Sequence, residues 1–159
     1  MKKIILAMVA VMVPLMLSAG STDFWFRHFS VEDGLSSSAV RAIMQDKYGF
    51  MWLGTDDGLN RYDGTTIKIY RLNPEGVNDY ISFLYDTTDR IWIGTGDGVY
   101  IYDYETENFE PFKLLTAKGD SIKTNVNHIA EDRDGNLWFS TVGQGIFKYN
   151  VSKRYLERY

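Results

Sequence analysis

The sequence predicts an all-β fold: a partial β-propeller of about three four-stranded antiparallel blades, with an orphan N-terminal strand and a signal peptide ahead of them. Three observations carry this. One segment recurs as Asp46-Lys-Tyr-Gly-Phe-Met-Trp52-Leu-Gly-Thr, Asp86-Thr-Thr-Asp-Arg-Ile-Trp92-Ile-Gly-Thr and Asp132-Arg-Asp-Gly-Asn-Leu-Trp138-Phe-Ser-Thr. Each copy runs on to a glycine (Gly58, Gly98, Gly145) and then a tyrosine (Tyr62, Tyr102, Tyr149). The tryptophans stand 40 and 46 residues apart, the period of about 40–50 residues that marks propeller repeats. A repeat of this size cannot bury its faces alone, so the copies must stack.

Residues 1–20 open with Lys2 and Lys3, continue through an apolar run and end in small residues. That is the plan of a secretory signal peptide, with cleavage expected after Gly20. The alternative, an uncleaved membrane anchor, needs about 20 apolar residues, more than this run supplies. Export is expected. The chain has no cysteine, so its stability must come from packing and backbone hydrogen bonds rather than disulfides. Without Lys2 and Lys3 the basic residues number 15 against 21 acidic, a charge of −6. Nucleic acid as a partner of this segment is excluded on that balance, since phosphate backbones demand clustered positive charge. All 24 aromatic residues follow residue 20, which suits strands.

Residues 21–37 hold Asp23-Phe-Trp-Phe-Arg-His-Phe29, an aromatic strand expected to complete the last blade of a closed ring, and a lead-in loop. Blade 1 is expected over residues 38–72. Its strands are 40–45, 50–55, 59–62 and 66–70, separated by turns at Asp46 to Gly49, Asp56 to Gly58 and Asp63-Gly64. Blade 2 is expected over 79–115 and blade 3 over 124–159, with fourth strands at 109–114 and 155–159. In each first turn an aspartate (Asp46, Asp86, Asp132) can accept backbone N–H groups ahead of it. The fourth turn position, Gly49, Asp89 or Gly135, is expected to need positive φ, and so are Gly58, Gly98 and Gly145. The tryptophan strands are apolar on both faces, as for strands dry on both sides. The small residue that follows, Gly54, Gly94 or Ser140, points to close approach of a neighbour.

Three blades do not close a ring, which takes about four to eight. The chain is therefore expected to be the front part of a longer protein whose remaining blades are its partners. Assembly of several short chains is the alternative.

A catalytic set is not evident. The two histidines, His28 and His128, have no company of metal-ligating residues, and no metal or cofactor is expected. Gly94-Thr-Gly-Asp-Gly98 resembles a phosphate loop, but a strand follows it where the motif requires a helix. Asn150-Val-Ser152 matches a glycosylation acceptor, a pattern frequent by chance. Ligand binding is expected instead at the channel mouth, from Asp56, Asp57, Asn60, Asp97 and Gln144, with Asn73, Glu75, Asn78 and Asn125 in the links. Short polar groups around a common mouth suit hydroxyl-rich ligands such as oligosaccharides.

The stretch Phe26-Arg-His-Phe-Ser-Val-Glu-Asp-Gly-Leu-Ser-Ser-Ser-Ala-Val-Arg-Ala-Ile43, with Asp46-x-x-Gly49-Phe-Met-Trp52-Leu-Gly-Thr-Asp-Asp-Gly58-Leu-Asn-Arg-Tyr62-Asp-Gly64, resembles the two-component regulator propeller family. The resemblance covers residues 24–159. It implies the periplasmic sensor region of a hybrid two-component histidine kinase that responds to glycan-derived oligosaccharides and controls polysaccharide utilisation. It further implies that kinase, receiver, DNA-binding domain and membrane helix lie outside this segment, and that the full-length protein is a homodimer. Two rival readings are a secreted propeller enzyme, such as a lyase or glycan hydrolase, and a protein-interaction scaffold.

Overall fold

The structure is a computed structural model that describes residues 25–73 and 79–159. The expected leader, the first two residues of the orphan strand (Asp23 and Phe24), and Glu75 and Asn78 lie outside the described residues. Among the described residues, twelve strands form three separate four-stranded sheets. Blade 1 is β1 (Val40–Gln45), β2 (Met51–Thr55), β3 (Gly58–Tyr62) and β4 (Ile67–Tyr70). Blade 2 is β5 (Ile81–Asp86), β6 (Arg90–Thr95), β7 (Gly98–Asp103) and β8 (Asn108–Pro111). Blade 3 is β9 (Val126–Glu131), β10 (Leu137–Thr141), β11 (Gly145–Asn150) and β12 (Tyr155–Arg158). Every neighbouring pair within a sheet is antiparallel, in the order of the chain. The fourth strand of blade 2 starts one residue earlier than expected and stops at Pro111, past which one more backbone bond runs from the Phe112 N–H to the Val99 carbonyl at 2.8 Å.

The first strands of successive blades touch one another, β1 against β5 and β5 against β9. They are the inner strands around the axis of a wheel, and the fourth strands lie at its outer edge. Between blades the core divides in two. Trp52, Leu59 and Leu72 of blade 1 pack on Ile81, Leu84, Ile91, Ile93 and Tyr102 of blade 2. Trp92 and Val99 of blade 2 pack on Val126, Ile129, Leu137, Phe139, Phe147 and Tyr149 of blade 3. The tryptophan side is dry where a blade follows, Trp52 being 0 % exposed and Trp92 3 %; β6, with a blade on either side, is dry on both faces, whereas Met51 and Leu53 on the other face of β2 are half-buried. Trp138, with no following blade among the described residues, is only half-buried.

The small residues after the tryptophans do mark close approach. A Cβ on Gly54 would stand 2.6 Å from Cγ2 of Ile81, and one on Gly94 3.1 Å from the carbonyl oxygen of Val126. At a blade seam there is no room for even a methyl group.

The orphan segment finds no partner strand among the described residues, and the final blade it is expected to complete is not among them. Residues 25–29 pair with no strand, and Trp25 and Phe26 are each 93 % exposed. A lone strand has no ladder to join unless a last blade presents an edge. Phe29 lies edge-on to Tyr62 at 4.9 Å, and Arg27 donates to the Tyr62 hydroxyl at 3.4 Å. The lead-in loop then makes a 3-10 turn, Val31–Asp33, capped by Ser30, and sinks Leu35 into blade 1.

Candidate functional site

The repeat aspartates build the most regular polar feature of the molecule. Oδ1 of Asp46 accepts the N–H groups of Tyr48 (2.9 Å) and Phe50 (3.0 Å), while Oδ2 accepts the indole N–H of Trp52 at 2.7 Å. Asp132 repeats this with the N–H groups of Asp134 (3.0 Å) and Asn136 (2.9 Å) and the indole of Trp138 (2.9 Å). These bonds, led by the one from Trp138, hold the Asp132 carboxyl well below the usual carboxylate range. Gly49 and Gly135 supply the left-handed residue of the turn, at φ 90° and 78°.

Blade 2 departs from the expected repeat. Asp86 pairs with Ile91 inside the ladder, and Thr87 closes the turn, its N–H on the carbonyl of Arg90 (2.8 Å). Thr87 therefore stands where Asp46 and Asp132 stand, and the loop is one residue shorter. Asp89 does not take the positive φ expected of it, because the shorter loop needs no left-handed residue there. Asp86 instead accepts the hydroxyl of Tyr104 at 2.9 Å. Burial raises the Asp86 carboxyl above its ordinary value, and burial with this bond raises the Tyr104 phenol.

The turns β2–β3, β6–β7 and β10–β11 and the links between blades share one rim of the wheel. Most of the expected ligand groups sit there, already engaged. Asp56 binds Arg41 through a two-pronged contact (2.7 and 3.0 Å). Asp57 binds Arg71. Asp97 accepts from Thr95 Oγ1 (2.8 Å) and from Asn73 Nδ2 (3.3 Å). Gln144 accepts the N–H of Lys123 and donates to the carbonyl of Ser121, fastening the link that enters blade 3.

Asn60 is a correction: it is 0 % exposed and does not face the mouth. Its Oδ1 accepts the N–H of Ser36, and its Nδ2 donates to Ser36 Oγ and the Leu53 carbonyl. Its β3 position, paired with Leu53, is filled in the other blades by Tyr100 and Phe147, on the seam side. Gly58, Gly98 and Gly145 have φ of 112°, 148° and 82° as expected, and a Cβ on each would stand within about 3 Å of a neighbouring carbonyl or side chain.

Sequence reasoning missed Arg41. Placed one residue into β1 at a register irregularity, it lies half-exposed beside Asp56, with its guanidinium over the Tyr80 ring at 5.8 Å. A lone arginine in a strand carries no signal in one sequence. Asp97 also borders an open hollow of about 330 Å³ with Tyr100, Phe112, Lys113 and Lys123. His28 and His128 are far apart in chain and setting; His128 lies against Phe83 at 4.3 Å. Among the described residues no group of three His, Cys, Asp or Glu side chains could hold a metal ion, and no helix is long and apolar enough to cross a membrane.

Comparison with known proteins agrees with this geometry. The two component regulator propeller profile matches residues 34–57 and 121–143, the lead-in with the first two strands of blade 1 and the corresponding part of blade 3. The chain is 56 % identical over 59 residues to "Histidine kinase P4" of Formosa agariphila, a match spanning 37 % of this chain and 4 % of that one. It resembles the crystal structure of the extracellular domain of the hybrid two component system BT3049 from B. thetaiotaomicron, with TM-score 0.74, 30 % identity, and coverage of 84 % of this chain and 20 % of that one. The extracellular domain of BT4673 from the same organism follows at TM-score 0.65 and 25 % identity, over 88 % of this chain and 21 % of that one. The chain thus spans about a fifth of the solved domains it matches. The stacked tryptophan blades and the aspartate–indole clasp thus agree with the two stretches, 34–57 and 121–143, that match the two component regulator propeller, and with the propeller fold of the solved extracellular domains.

Proposed function

We propose that this chain is a ligand-receiving propeller segment of an exported, periplasmic sensor in a hybrid two-component system. It binds glycan-derived oligosaccharides and leaves catalysis to a histidine kinase elsewhere in a homodimeric full-length protein. The likeness to the extracellular domain of a hybrid two component system is the observation that carries this reading. The rim supports it. The Arg41–Asp56 pair lies there with the Arg41 guanidinium over the Tyr80 ring, the pairing of planar polar groups with an aromatic face that suits sugar hydroxyls and pyranose rings. Binding would act by favouring one of two states of the larger assembly.

Isothermal titration calorimetry of the purified chain against a panel of oligosaccharides tests it. The expected result is saturable binding by some members, weakened at least tenfold by Arg41→Ala. A folded chain that binds none overturns the reading, and so does turnover of the glycan, which would make the propeller an enzyme.

A further inference from the structure

Where blade 2 hands the chain on to blade 3, the link passes against the start of β7 and leaves the open hollow of about 330 Å³ on the rim. A Cβ on Gly98 would stand 2.9 Å from the carbonyl oxygen of Ile122, so strand and link are in close contact there. Small-ligand sites commonly enclose about 300–1,000 Å³. The walls are held in place without a ligand. Gln144 accepts the Lys123 N–H at 2.9 Å and donates to the Ser121 carbonyl at 3.1 Å. The Phe112 N–H reaches the Val99 carbonyl at 2.8 Å, and the Phe112 ring stands edge-on to Trp92 at 5.4 Å.

The polar groups of the hollow are unevenly satisfied. Ser121 is 8 % exposed, yet its Oγ has no hydrogen-bond partner among the described residues. Buried hydroxyls are nearly always paired, so this one marks a place for a partner. Lys113 and Lys123 are exposed and form no ion pair among the described residues. The acidic residue of the hollow, Asp97, is engaged elsewhere, accepting from Thr95 Oγ1 at 2.8 Å and Asn73 Nδ2 at 3.3 Å. A chain of net charge −4 thus sets two unpaired ammonium groups around one unpaired hydroxyl, with Phe112 and Ile122 as apolar lining. Charge-assisted bonds to an anion are the strongest that such lysines can make, and an apolar wall suits the C–H face of a sugar ring.

We propose that this hollow is a subsite for an acidic sugar, the uronic acid carboxylate answering Lys113 and Lys123 and a ring hydroxyl answering Ser121. The proposal rests on the sensing reading and names the ligand class within it: oligosaccharides that contain uronic acid.

Calorimetry of the purified chain with trisaccharides of galacturonic, glucuronic and mannuronic acid, each beside the neutral trisaccharide of the same configuration, tests it. At least one acidic trisaccharide is expected to bind about tenfold more tightly than its neutral counterpart, with an advantage that shrinks as salt is added. The double change Lys113→Gln with Lys123→Gln alters exposed side chains, keeps the circular dichroism spectrum and removes that advantage. Ser121→Ala weakens the acidic and the neutral sugar alike. Equal affinity for each acidic and neutral pair overturns the proposal, and so does an acidic preference that survives the loss of both lysines. In either of those cases binding that still depends on Arg41 leaves the sensing reading standing. A folded chain that binds no oligosaccharide overturns both.

Discussion

The indole N–H of Trp52 donates to Oδ2 of Asp46 at 2.7 Å, so the buried centre of a blade is tied to the turn that starts it six residues earlier. The same carboxylate caps two backbone amides of that turn. Asp46→Ala leaves the indole and both amides without their acceptor. Unsatisfied buried donors cost about 1–3 kcal/mol each at most, and partial access to water brings the expected total to about 3 kcal/mol. Chemical denaturation measures it; Asp46→Asn, which keeps one carbonyl oxygen, should lose clearly less. Equal losses for the two variants would mean that the clasp contributes nothing specific.

Asp132 makes the stability of blade 3 sensitive to acid. Its folded carboxyl lies below the ordinary value of 3.8, chiefly through the bond from Trp138. A lowered folded value means a stabilisation that is complete above pH 3.8 and is lost progressively as pH falls from there towards the depressed value. Asp132→Asn is therefore expected to be less stable than wild type at pH 7, with the gap narrowing steadily below pH 4. A gap that does not change with pH would show that the carboxylate charge is not what matters.

Asp86 should behave in the opposite sense. Burial raises its folded value, so its contribution is present below the ordinary carboxylate range and is lost as pH rises through the raised value. Asp86→Asn is expected to be at least as stable as wild type at pH 7, since an amide oxygen still accepts the Tyr104 hydroxyl. Thermal unfolding of the two variants side by side at pH 7 tests the contrast. A loss for Asp86→Asn as large as that for Asp46→Asn would restore the identical roles that the repeat suggests.

The first blade seam admits no added atom at Gly54. Gly54→Ala forces the new methyl against Ile81, and overpacking of this kind costs about 1–3 kcal/mol. Shortening the neighbour relieves the clash, so Gly54→Ala combined with Ile81→Ala should cost less than the sum of the separate changes. Additive losses would place the strain within blade 1 instead of at the seam.

The legibility of the chain follows the range of the interactions. The β-strands, their hairpins and the glycines at positive φ depend on residues within about ten positions of one another, and period and turn chemistry announce them. The tryptophan strands were legible for the same reason, since an unbroken apolar run such as Ile91-Trp92-Ile93 records two dry faces. Asp86 was misread because its spacing to Trp92 matches that of its counterparts, while the loop between them is one residue shorter and only backbone pairing reveals it. Asn60 looked like a turn residue at the mouth. Its burial comes from Ser36, 24 residues away in the lead-in loop.

By itself, then, the order of residues determined the all-β class, the three-blade count, the antiparallel hairpins and the need for a neighbour beside every Trp–Gly or Trp–Ser strand. These follow from local backbone preference and from the hydrophobic cost of leaving two apolar faces wet. The tertiary structure decided which polar groups face solvent, where Arg41 sits, and how closely one blade approaches the next. Those outcomes rest on contacts between residues distant in the chain, such as Gly54 with Ile81, whose partners exist only once the blades have stacked.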